Sequence, residues 1–285
     1  MSDIISLTKL VIVDSLEKRE FQTGQEIETY TRAEFSAYKL PLSVERHSVQ
    51  YPDEFEEVLR VLTIEAEHGQ LPLLHVEMHG DPKDGLEFSS GCTLGWERVS
   101  DLLVELNRTT RFNLVSVFAA CYGAYFAGQM WVHRPSPCFG LLAPEDQVAP
   151  EEIYRGFRRF YHELAITQDM GRAAALLARE KLTKGRWMNQ TATIWLPKVL
   201  RATAKQHLSA AGLKAMAARA LVRPEAQDLP PDLDLTALTE ARARRYLTET
   251  AFNRFFMVDS IPENAERFRH VQERLIKEIL PLVGA

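Results

Sequence analysis

The chain has 285 residues, of which 46% are hydrophobic and 26% charged, and a net charge of −5. This is the composition of an ordinary soluble globular protein, long enough for one large domain or for one domain and a smaller one. No apolar stretch reaches membrane-spanning length, no N-terminal run is flanked as a signal peptide is, and three cysteines without zinc-like spacing predict reduced thiols in a cytoplasmic protein. The charge is uneven. Residues 186–285 hold 15 Lys and Arg against 11 Asp and Glu, or +4, which leaves 19 against 28, or −9, for the rest. Between Lys181 and Pro224 there are nine basic residues and no acidic one, so the two parts are expected to meet different partners.

In chain order, Thr8–Leu16 is β-branched and apolar, which predicts a central strand. Residues 17–36 are polar and mixed and read as a loop with a short helix. Leu40–Val49 reads as a strand nearer an edge. Tyr51-Pro52-Asp53 opens a helix with Phe55, Val58, Leu59 and Leu62 on one face, ending at Gly69. The next apolar run, Leu71–Met78, ends in His79-Gly80-Asp81. A hairpin is expected over Leu86–Leu94 and an amphipathic helix over Trp96–Thr109. A second apolar run, Asn113–Ala120, ends in Cys121-Tyr122-Gly123. Pro137–Leu142 is a further strand candidate, with Glu145 and Asp146 just past its end. From Glu151 the chain reads as helical: 151–166, 170–181, 193–222, a break at Pro230-Pro231, then 235–258 and 262–282. These elements predict an α/β fold with a mostly parallel sheet flanked by helices in residues 1–185, and an all-helical, regulatory or partner-binding region in 186–285.

Reactive groups in such sheets collect past the carboxyl ends of the strands, where His79 and Cys121 are expected. A free thiol, with a pKa of about 8.5, is mostly protonated at neutral pH, and an imidazole beside it can take its proton. Acyl transfer also needs N–H groups aimed at the developing oxyanion, and the amides of Gly80 and Cys121 are the candidates. His75-Val-Glu-Met-His79 lacks the Glu position of a zinc helix, and on a strand its two imidazoles stand about 13 Å apart, so no metal is expected, nor any cofactor.

An apolar strand ending in His79-Gly80, then one ending in Ala-Cys121-x-Gly123, resembles the caspase-like superfamily of cysteine peptidases, and the hairpin and the Trp96 helix look most like its CHAT or prokaryotic caspase branch. The resemblance covers residues 8–181. It implies a caspase-like sheet, a His79/Cys121 dyad, and a cysteine endopeptidase acting on a protein substrate through a thioacyl-enzyme, in a bacterial stress or defence system. Where caspases carry Gln and metacaspases Asp, two places before the nucleophile, this chain has Ala119, which supports neither Asp nor Arg specificity. Asp81, Glu145 and Asp146 are candidates for an acidic wall of the substrate site, so a basic preference and a small or apolar one both stay open. The alternative is a catalytically silent caspase-like interaction module. Its basic stretch, with Trp187 and Trp195 interleaved, would bind nucleic acid or a protein partner; a solvated or docked helix face is the simpler expectation.

Overall fold

A computed structural model describes residues 6–221 and 233–285. They divide into two compact units, Met1–Met130 with Ser136–Thr191, and Trp131–Pro135 with Ala192–Ala285. The first unit is α/β. Its strands are β1 (Lys9–Ser15), β2 (Ser43–Ser48), β3 (Pro72–Asp81), β4 (Gly85–Glu87), β5 (Thr93–Leu94), β6 (Val115–Ala119), β7 (Gly140–Pro144) and β8 (Trp187–Thr191). The main sheet has the order β2-β1-β3-β6-β7-β8, parallel except for β8, and β4 and β5 form a small antiparallel hairpin beside β3.

Leu10–Val13 and Leu73, Leu74 and Val76 are fully buried, because helices cover both faces of the sheet and leave no polar side to alternate with. The helices are α1 (Thr23–Ala37), α2 (Pro52–Glu67), α3 (Trp96–Thr109), α4 (Pro150–Thr167) and α5 (Met170–Leu177). Right-handed crossovers place α1 on one face and α2 and α3 on the other. Accordingly α1 packs on α4, α4 on α5, and α2 on α3. The chain runs outward from β1 to β2 and then back past β1 to β3, so the order reverses between β1 and β3, the position where open α/β sheets form a crevice.

Two segments of the first unit differ from the expectation. The helix α1 is a full 15 residues, not a loop with a short helix. Its buried face is Thr23, Gly24, Ile27, Thr31 and Phe35, so small and polar residues stand where an apolar stripe would have announced it. The chain is also not wholly helical after Glu151, because β8 carries the sheet past Gly185 to Thr191 by pairing antiparallel with β7. Its sequence, Trp-Met-Asn-Gln-Thr, has no apolar alternation, and only Trp187 and Gln190 in it are buried.

The second unit is helical: α6 (Ala192–His207), α7 (Ala210–Leu221), α8 (Leu235–Arg245), α9 (Ala251–Phe255), α10 (Asn264–Arg267) and α11 (Arg269–Glu278). The expected single helix over 193–222 is broken at Ser209, whose hydroxyl accepts from the Gly212 amide at 3.3 Å. A π-helical turn, Tyr246–Thr250, joins α8 to α9. Val222 and the break at Pro230-Pro231 lie outside the described residues. Among the described residues no helix is long and apolar enough to cross a membrane.

Candidate active site

The register of the two central strands decides where the reactive groups stand. In β3 and β6, His75 is level with Val117 and Glu77 with Ala119. The pairing ends there: β6 stops at Ala119, two residues before Cys121, while β3 runs on through His79 to Asp81, so both residues follow the paired segment at the carboxyl end of the sheet. The two turns touch there, since a Cβ on Gly80 would overlap the carbonyl oxygen of Cys121. Only glycine allows that approach. The turn after Cys121 is sharp: Tyr122 has φ +59°, a left-handed conformation that costs a side chain about 1 kcal/mol. It is held by the Tyr122 amide donating to Asp146 O at 3.1 Å and the Gly123 amide donating to Ala120 O at 3.0 Å. A Cβ on Gly123 would stand 2.8 Å from Phe118 O, so this turn too is built around a missing side chain. With the Tyr122 and Gly123 amides committed, the Cys121 amide is the candidate oxyanion donor on this turn.

His79 is exposed and Cys121 half-buried. The Cys121 thiol donates to Val148 O at 3.8 Å, just ahead of α4. The His79 imidazole takes a different partner, Glu20 Oε1, at 2.8 Å from Nε2. Sequence reasoning missed Glu20. It lies in the loop after β1, at the same carboxyl edge, and that position was the available signal. Burial pushes its carboxyl up, but the Glu17 amide, the His79 ring and Arg19 outweigh this and hold it below the ordinary carboxylate range.

Beneath the pair lies a buried polar cluster. His75 meets the Tyr161 hydroxyl at 2.8 Å through Nδ1 and Glu77 at 3.0 Å through Nε2, and the Thr23 hydroxyl donates to the other oxygen of Glu77. Thus His75 and His79, four residues apart on one strand, serve different partners. Among the described residues no group of three or more His, Cys, Asp or Glu side chains could hold a metal ion.

The four residues expected along a substrate wall are placed unequally. Ala119 is 1% exposed and belongs to the core. The Asp81 carboxylate accepts from the amides of Lys83 and Asp84 at 2.7 and 3.0 Å, and these bonds hold it below the ordinary value; it braces the β3–β4 turn. Glu145 is forked onto Arg186 at 2.9 and 3.0 Å, and Asp146 accepts from the Gln147 amide at 2.7 Å while its carbonyl fixes the Cys121 turn. In the basic stretch, Lys184 reaches Gln147 at 2.7 Å, Arg201 pairs with Glu278, and Trp187 is buried against Phe157. Arg223 lies outside the described residues.

Fold and strand-end residues together define an α/β protein with a mostly parallel sheet, helices at its C-terminus, and a histidine-bearing and a cysteine-bearing turn in backbone contact at the sheet's carboxyl edge. No protein-family model matches the chain, and no curated protein matches it significantly.

Proposed function

We propose that the chain is a caspase-like cysteine endopeptidase, with His79 and Cys121 as its catalytic residues. The observation that carries this is the close approach of the two turns that follow the paired strands β3 and β6, where Gly80 packs on the Cys121 carbonyl. In the reaction, His79 takes the Cys121 proton as sulfur attacks the scissile carbonyl. The amides of Gly80 and Cys121 face the oxyanion, and His79 returns the proton to the leaving amine. Water, deprotonated by His79, then hydrolyses the thioester and restores the thiol. The imidazole–thiol hydrogen bond is expected to form with substrate bound, since catalytic hydrogen bonds are often open in free enzymes. By analogy with the family the two motifs resemble, the activity would serve a bacterial stress or defence system and cut a dedicated protein.

A peptidyl electrophile tests the chemistry. It should label wild type at Cys121, fail with Cys121→Ala, and react ~100-fold more slowly with His79→Ala, as expected for loss of a general base. Equal labelling of wild type and both variants would count against the proposal.

A further inference from the structure

Glu20 stands at the point where the strand order reverses, between the ends of β1 and β3. Its carboxylate is held from both sides: Oε2 accepts from the Glu17 amide at 2.6 Å, and Oε1 meets His79 Nε2 at 2.8 Å. The loop that carries it is braced in turn. The Glu20 amide donates to Glu17 O at 2.9 Å, and the Gln22 side chain donates to the carbonyls of Glu17 and Glu20 at 2.8 and 3.1 Å. At its far end Thr23 is bolted to buried Glu77, which lies two residues before His79 on the same strand. The carboxylate and the imidazole are therefore positioned from one strand. An incidental surface ion pair would have no such frame.

From this we infer that Glu20 is a positioning residue for His79, fixing the tautomer and raising the basicity of the ring that serves Cys121. An imidazole that donates from Nε2 to a carboxylate keeps its lone pair on Nδ1, so that nitrogen is the one left to take the thiol proton. The carboxylate also stabilises the imidazolium formed when the proton arrives. This rests on the dyad reading above. Other ionisable groups around the ring do not share the role. Glu87 lies opposite His79 in the β3–β4 register, but the ring's carboxylate partner is Glu20. Arg19 pairs with Glu17 at 2.8 Å, and Asp81 is committed to its own turn. Glu77 is committed to Thr23 and His75, and the Tyr122 ring, beyond Cys121, packs edge-on against Tyr125 at 5.9 Å.

The test is the rate of Cys121 alkylation by iodoacetamide between pH 4 and 9, followed by mass spectrometry on the full chain. This needs no peptide substrate. Removal of the carboxylate in Glu20→Gln should lower the midpoint of the His79-dependent rise by about one pH unit and the plateau about tenfold. Glu20→Asp should recover most of the midpoint shift, and Glu87→Gln should match wild type. An unchanged profile in Glu20→Gln would overturn the inference, leaving only a surface contact. A faster plateau would overturn it too, since Glu20 would then be a latch holding the ring off the thiol. If His79→Ala itself leaves the wild-type profile intact, the dyad fails and takes the inference with it. A normal His79 effect with a silent Glu20→Gln sinks the inference alone.

Discussion

Three cysteines show how the surroundings of a thiol set its chemistry. Cys92 is exposed, Cys121 is half-buried at the end of β6, and Cys138 is fully buried. Burial pushes the Cys138 thiol up to about 12, an effect the neighbouring Ser116 side chain only partly offsets. It therefore stays a neutral thiol across the physiological range, with no route to a reagent. Brief treatment of the native protein with iodoacetamide should modify Cys92 and Cys121 and spare Cys138, which reacts only after denaturation. Peptide mapping checks this. Modification of Cys138 at a rate near that of Cys92 would show that the strand region around β7 opens.

At the level of elements, charged residues inside the sheet unit are tolerated because each is matched. Lys9, 2% exposed on β1, reaches Glu45 at 3.1 Å and also pairs with Glu65. At the other end of β1, buried Asp14 is bound by Arg46 from β2 at 2.7 Å, and Arg46 also meets Glu28 of α1 at 2.9 Å. These three elements are thus tied by one guanidinium. Replacing Arg46 with Met leaves Asp14 buried without its charge partner, and the destabilisation should approach the ~3–5 kcal/mol typical of broken buried pairs. Burial pushes the Glu28 carboxyl up, but Arg32 and Arg46 hold it below its ordinary value. Its share of the stabilisation is therefore present above the unfolded carboxylate pKa and lost as pH falls through the lowered folded one. Urea denaturation at neutral and acid pH should show the gap between wild type and Arg46→Met narrowing on the acid side. A gap independent of pH would mean the arginine acts through packing alone.

For the whole molecule, the uneven charge raised the prospect of a nucleic-acid partner for residues 181–224. Several of those charges are spoken for internally: Arg186 by Glu145, Arg201 by Glu278, Lys184 by Gln147. Trp187 is packed into the sheet unit against Phe157 and offers no stacking face. Single-stranded RNA of mixed sequence is therefore expected not to be retained at about 0.15 M salt, where stacking and phosphate contacts would have to hold it. Fluorescence anisotropy across a salt series checks this, and a steep log–log slope with tight binding at low salt would reverse the reading.

Much of the sheet unit was legible in the residues themselves. Unbroken apolar runs such as Leu-Val-Ile-Val at 10–13 mark strands buried on both faces, Trp96–Thr109 has the helix spacing, and glycine after both His79 and Cys121 marks tight turns. These signals are local, so composition and periodicity determined them. What only the tertiary structure decided is partnership. Pairing of β3 with β6 brought the Gly80 turn onto the Cys121 carbonyl and turned Ala119 into core; pairing with β7 made a strand of the polar segment Trp187–Thr191; folding of the loop after β1 brought Glu20 onto an imidazole 59 residues away. Such contacts depend on strand order and on the ends of elements meeting in space, and no window of neighbouring residues contains that information.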